Sequence, residues 1–120
     1  MRIGEFVSLL NTTKDTVRHY EDLGLITPTR VQNKKYYGEK DKIDFKVIQE
    51  CKHFGLTLSD IQALFQLKSA YTCGDERFIK EVLEQLSMQV MVLKHEEALI
   101  KKRRMCLENE LMNIKEQLKS

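Results

Sequence analysis

From Asp75 to Ser120 the chain contains no glycine and no proline. Those two residues are the strongest interrupters of helical backbone, so the stretch is free to run as one helix. Within it, Val90, Leu93, Glu97, Ile100, Arg104, Leu107, Leu111, Ile114 and Leu118 follow one another at steps of three and four. That is the seam of a coiled coil, and seven of the nine positions are apolar, so the seam has to be covered. Ile79, Val82 and Leu86 extend it upstream after a one-residue stutter. A helix of about 45 residues is roughly 65 Å long, more than a small N-terminal domain can cover. Folding back as a hairpin needs a break that the stretch does not contain. A second copy of the chain is therefore the expected cover. Residues 76–120 are read as a dimerisation helix, with 71–75 as the linker that precedes it.

A chain of 120 residues is enough for one modest domain, or a small domain plus a long helical element, with limited room for a core, and is too short for most two-domain enzymes. With 42% hydrophobic, 32% charged and 8% aromatic residues, the chain falls in the folded, soluble range. No run approaches the roughly 20 apolar residues of a membrane helix, and "MRIGEFVSLLNTT" lacks the apolar region of a signal peptide. The expected location is cytoplasmic, with no membrane partner. Cys51, Cys73 and Cys106 are odd in number and far apart, and fit reduced thiols better than a disulfide framework. The net charge of +2 says little about nucleic acid, but Arg30, Lys34, Lys35, Lys40, Lys42 and Lys46 face only three acids between positions 30 and 46.

Read along the chain, Ile3, Phe6, Val7 and Leu10 give a short amphipathic helix that Asn11 is placed to end. Thr13 then caps a second helix to about Leu23, with Gly24 as its stop. Two short helices with a tight turn between them describe a helix-turn-helix. "TRV" and "KKYY" flank Gln32-Asn33 and predict a small hairpin, a wing. A third helix is expected after Asp41, with Ile43, Val47, Cys51 and Phe54 on its core face and Gly55 at its end. "TLSD", Thr57 to Asp60, has the capping-box form and opens a fourth helix that fades near Ser69.

These pieces, in this order, resemble the MerR family of bacterial transcription regulators. The resemblance covers essentially the whole chain and is strongest over residues 2–65. It rests on "IGEF", on "TVRHYEDLGLI", on "YGEKD" after the wing and on "FGLTLSDI". Two departures bear on base preference: Lys35-Tyr36-Tyr37 stands where the family usually has Arg-x-Tyr, and His19 replaces a Tyr or Phe. The C-terminus shows neither the cysteine-bearing loop of the metal-sensing branches nor a separate ligand domain. The resemblance implies a mainly α fold, a winged helix-turn-helix followed by an antiparallel coiled coil. It also implies a homodimer on double-stranded promoter DNA that distorts the spacer and so acts on RNA polymerase indirectly.

In such a domain the second helix enters the major groove and flanking groups hold phosphates. Thr13, Lys14, Asp15, Thr16 and Arg18 are the candidates at its N-terminal end. Arg18 can grip a phosphate bidentately or read a guanine, or it can simply pair with Glu21 or Asp22. Tyr20 either fills the core or, by resemblance, reaches a phosphate. His19 packs against sugar and phosphate or stays solvated. Arg30, Lys34 and Lys35 with Tyr37 form a basic patch with aromatics, suited to backbone contact, although a solvated charge run is the ordinary reading of such a patch. Thr57 could offer helix N-terminal amides to a phosphate.

The dimer interface is expected at Val90, Leu93, Ile100, Leu107, Leu111, Ile114 and Leu118. Cys73 and Cys106 are weak candidates for a thiol or metal sensor across an antiparallel dimer, since two thiolates without histidine or CxxC make a poor site. Cys51 is read as core. The apolar, methionine-bearing stretch Met88 to Leu93 could line a small-molecule pocket but is more simply seam. His19, His53 and His95 are scattered, with no nucleophile, phosphate loop or paired acids at motif spacing, so no enzymatic activity and no cofactor are expected. A coiled-coil adaptor with a relic DNA-binding domain is the rival reading; retained exposed cations on the second helix and wing argue against it.

Overall fold

The computed structural model describes residues 1–71 and 74–119. Cys73, one of the two sensor candidates, lies outside them. The chain divides into two units, Met1–Ile79 and the residues from Lys80 onward.

The first unit opens with α1, Ile3–Leu10, which ends where Asn11 turns left-handed at φ 53°. The link Asn11–Thr13 leads into α2, Lys14–Asp22. Thr13 is its cap: the hydroxyl oxygen accepts the Thr16 N–H at 3.2 Å. Gly24 supplies φ 76° just past the last turn, and the Leu25 N–H closes back on the Tyr20 carbonyl at 2.9 Å. Strands β1, Thr29–Val31, and β2, Lys34–Tyr36, pair antiparallel with Arg30 opposite Lys35. Gln32 and Asn33 both have positive φ, 51° and 66°. This is the mirror-image two-residue turn whose twist matches that of a hairpin. Tyr37 then ties the wing to the chain start: its N–H donates to the Met1 carbonyl at 2.7 Å, and the Met1 ammonium donates to the Tyr37 carbonyl at 2.8 Å.

Helix α3 runs Glu39–His53, three residues earlier than the apolar pattern suggests, because Asp41 lies inside its first turn and accepts the Gly38 N–H at 2.9 Å. Its inward face also differs from the expected one. Asp41, Asp44, Phe45 and Ile48 are buried, whereas Ile43, Val47 and Phe54 are exposed and Cys51 is half-buried. The two acids can turn inward because each finds a partner there: Asp41 holds the helix start, and the Asp44 carboxylate lies 3.6 Å from the Lys68 ammonium of the next helix. That helix, α4, spans Leu58–Ala70 and begins with a complete capping box between Thr57 and Asp60.

The core of this unit gathers around Phe6, which stacks on Tyr37 at 4.6 Å and meets Phe45 edge-on at 6.4 Å. Val17, Ile26, Ile48 and Ile61 complete it from α2, the following loop, α3 and α4. Offset and edge-on ring pairs contribute about 0.5–1.5 kcal/mol beyond their burial, so Phe6 is the hub that holds α1, the wing and α3 together.

Helix α5, Glu76–Lys119, is unbroken over its whole length and buries none of its residues. Asp75 starts it, accepting the Arg77 N–H at 2.8 Å and the Arg77 guanidinium at 3.0 Å. The guanidinium holds the Asp75 carboxyl below the usual carboxylate range. Val90, Leu93, Ile100, Leu107, Leu111, Ile114 and Leu118 are all exposed, and Arg104 in the same seam bonds Glu108 at 2.6 Å within its own helix. Among the described residues no helix is long and apolar enough to cross a membrane.

Candidate nucleic-acid interface

Val17 and Tyr20 take the inward face of α2 and leave Lys14, Asp15, Arg18 and His19 in solvent. Thr13 and Thr16 spend their hydroxyls on each other, 2.8 Å apart, and on the helix cap. They fix where the helix starts, and thereby where Lys14 and Arg18 stand. Arg18 pairs with Asp15 at 4.0 Å, not with Glu21 or Asp22, and the two side chains are 60% and 97% exposed. An exposed pair of this kind contributes about 0–1 kcal/mol at most, so a phosphate or a guanine edge can take Arg18 away from it.

Adjacent strand residues point to opposite faces, and this separates the wing's two lysines. Lys34 and Tyr36 share one face; the Arg2 guanidinium sits 5.6 Å above the Tyr36 ring. Lys35 and Arg30 share the other, where the Lys35 ammonium lies 3.3 Å from Glu21 of α2. Arg18, Arg2, Asn33, Lys34 and Lys35 line one concavity of about 240 Å³ that has no carboxylate on its wall. Cations from the chain start, α2 and the wing thus meet at one place, which is what a polyanionic backbone requires. Arg30 is not part of it. It lines a second concavity of about 250 Å³ together with Glu21, Asp22 and Lys35, where acids offset its charge.

Two aromatic candidates are nearly closed to solvent, although Tyr37 is among the residues that line the concavity. Tyr20 and Tyr37 are each only 1% exposed, so neither ring is open to a phosphate. Tyr20 packs 5.9 Å from Phe45, and its hydroxyl accepts from the Lys52 ammonium at 3.3 Å. Tyr37 donates its hydroxyl to Glu21 at 3.1 Å. Burial, reinforced by that bond and by the charges of Glu21 and Asp41, pushes the Tyr37 phenol from 10.0 up to about 12, and the Arg18 charge opposes the rise. Tyrosine suits both roles because it is apolar in body and polar at the tip, which is why the residue type alone did not decide between core and phosphate. Thr57 is engaged within its own helix cap. Its N–H and hydroxyl are both engaged by Asp60, at 3.1 Å each, and that carboxylate puts a negative charge where an anion would have to sit.

Glu21 and Arg2 are the residues that sequence reasoning missed. Glu21 reads as one more surface acid in "YED", yet its side chain is only 10% exposed and it touches both Lys35 and Tyr37. Its second oxygen, Oε2, is buried without a hydrogen-bond partner among the described residues. Arg2 precedes α1 outside any periodic pattern, and only the pairing of Met1 with Tyr37 brings it to the wing.

Among the described residues no three His, Cys, Asp or Glu side chains come together as metal ligands. Cys106 is an exposed thiol on α5.

The sequence profile of the MerR HTH family regulatory proteins matches residues 1–68. A relative named HTH-type transcriptional regulator ZntR homolog, from Haemophilus influenzae, is 32% identical over 98 residues, covering 80% of this chain and 72% of the relative. The HTH-type transcriptional regulator CueR of Bacillus subtilis is 44% identical over 62 residues, covering 51% of this chain and 43% of that protein. The solved structure of the transcription regulator PbrR691 from Ralstonia metallidurans CH34, in complex with lead(II), aligns with a TM-score of 0.54 at 28% identity over 87% of this chain and 86% of that one. These relatives are regulators, not enzymes. With its profile match spanning the whole helix-turn-helix, wing and following helix pair, the chain belongs to the MerR family of DNA-binding transcriptional regulators.

Proposed function

We propose that the chain acts as a homodimer on an inverted-repeat promoter site, with residues 1–70 as the DNA-binding domain, 71–75 as linker and 76–120 as the dimerisation helix. Each α2 enters a major groove. Arg18 meets a base edge or phosphate there, Lys14 and Asp15 flank it, and Arg2 and the basic wing hold backbone phosphates beside it. Tyr20 and Tyr37 serve the interface from within, by fixing α2 and the wing. The α5 helices of two copies run antiparallel and cover each other's seam at Val90, Leu93, Ile100, Leu107, Leu111, Ile114 and Leu118. Control works through deformation of the promoter spacer, which RNA polymerase then reads. The observation that carries the reading is the concavity that joins Arg2, Arg18, Lys34 and Lys35 with no acid on its wall.

Titration of a duplex from the region upstream of the chain's own operon tests this. Arg18→Ala is expected to weaken binding by about 1–3 kcal/mol, roughly 5- to 150-fold. Equal affinity of the wild type for the target and a scrambled duplex, or no loss in Arg18→Ala, would remove the direct-readout claim.

A second reading is favoured by the relative solved with lead(II) and by the exposed thiol of Cys106, which lies next to seam residue Leu107. In it, Cys73 and Cys106 of opposite chains respond together to a soft metal or an oxidant. Titrating the reduced dimer with Zn²⁺, Cu⁺ or an oxidant should then change promoter unwinding. The same response in Cys73→Ser as in the wild type would sink it.

A further inference from the structure

The two wing lysines are adjacent in sequence and equal in charge, and nothing in "NKKYY" separates them. Their surroundings do. Lys34 has no ion pair among the described residues and shares its face with Tyr36 and Arg2. Lys35 lies on the opposite face, 40% exposed at its side chain, with its ammonium 3.3 Å from Glu21. The same Glu21 oxygen, Oε1, accepts the Tyr37 hydroxyl at 3.1 Å. One largely buried carboxylate on the recognition helix therefore receives one donor from Lys35, in the middle of β2, and one from Tyr37, the residue that follows the strand.

We infer that Glu21 is a positioning residue that latches the wing to the recognition helix through Lys35 and Tyr37, and that Lys34, not Lys35, supplies the wing's phosphate contact. The inference rests on the DNA-binding reading above and divides the labour within it. Apart from this latch, the Met1–Tyr37 backbone pair, the Phe6–Tyr37 stack and the Arg2–Tyr36 contact, the hairpin is two three-residue strands, and an isolated hairpin of that size is marginal in water. The latch sets the spacing between Arg18, three residues before Glu21 on α2, and the wing cations. A duplex has phosphates at fixed intervals, so a wing held at one distance meets them without first being ordered, whereas a loose wing must be immobilised on binding. Lys35 already spends its charge on a buried acid, and giving that up for a phosphate would leave Glu21 uncompensated.

Two measurements on the full chain separate latch from contact. Hydrogen exchange of the wing amides, residues 29–37, is followed in the free protein, and binding to the upstream duplex is followed as a function of salt. Glu21→Ala and Lys35→Met are expected to speed wing exchange at least tenfold. Glu21→Gln, which keeps volume and the Tyr37 bond, should fall between them and the wild type, and Lys35→Arg, which keeps the cation, should restore slow exchange. Lys34→Met should leave wing exchange unchanged but lower the slope of log affinity against log salt by about 0.9 per chain. Lys35→Met and Glu21→Gln should lose affinity with little change in slope. Wild-type wing exchange in Glu21→Ala would overturn the latch, and a slope loss in Lys35→Met equal to that in Lys34→Met would overturn the division of roles. If the wild type bound no duplex, the DNA reading and the Lys34 assignment would fall together, while wing exchange would still decide the latch.

Discussion

The two units treat the same kind of side chain in opposite ways. In the first, the apolar residues of three short helices, a loop and the start of α4 close over Phe6, and Val17, Ile26, Ile48 and Ile61 are essentially without solvent contact. In α5 an apolar stripe just as regular remains open from Val90 to Leu118. Burial of apolar surface contributes about 25 cal/mol per Å², and a stripe left in water forgoes all of it. The first unit supplies its own core, while the second is, on the dimer reading proposed above, a half-interface stabilised by association. If so, mutations should separate cleanly: core changes should unfold the first unit and spare the oligomer, and seam changes should do the reverse.

The sharpest break on the first side is Phe6→Ala. Losing the ring that stacks on Tyr37 and meets Phe45 is expected to cost about 3–5 kcal/mol. Denaturant unfolding of the first unit should shift by that amount while the sedimenting mass stays that of the wild type. On the other side, Leu107→Asp puts a carboxylate into the seam. It should raise the dimer dissociation constant at least about 100-fold, near 2.7 kcal/mol, and leave the near-ultraviolet signal of the first unit's tyrosines unchanged. Equal effects of both variants on both observables would mean that the units fold as one.

Smaller effects sharpen the same contrast. Thr57→Ala removes the hydroxyl half of the α4 cap and is expected to lower first-unit stability by about 1 kcal/mol, read as a shift in its thermal midpoint. The smallest effect concerns alkali. The Tyr37 phenol is pushed up to about 12 in the folded chain from 10.0. A raised value means that the protonated form is the one folding favours, so the contribution is complete below pH 10 and is lost as the pH rises toward about 12. Wild type and Tyr37→Phe should therefore converge in stability over that interval, and a constant difference across it would contradict the assignment.

What the sequence made legible follows from where the deciding interactions lie. Thr13, Asn11, Gly24, Gln32-Asn33 and the Thr57/Asp60 box act within a few residues of themselves, so helix starts, stops and the wing turn could be read directly. The uninterrupted helix after Asp75 is a local property as well. The inward face of α3 was not legible. Ile43, Val47 and Phe54 make the better apolar stripe, but Asp41 and Asp44 are drawn inward by the Gly38 amide and by Lys68, a partner 24 positions away. The candidate site divides in the same way: Lys14 and Arg18 follow from helical spacing, whereas the burial of Tyr20 and Tyr37, the part played by Glu21 and the arrival of Arg2 are all made by tertiary contacts. Ile43 and Val47 remain exposed apolar residues on the first unit.

On the reading proposed above, a DNA-reading unit with its own core is made functional by a helix that pairs with a second copy. Sedimentation of the full chain with and without the upstream duplex tests it most directly. Two chains in solution at micromolar concentration, two chains per bound duplex, and loss of both in Leu107→Asp are the expected result. A monomeric wild type that binds the duplex one to one with undiminished affinity would contradict it.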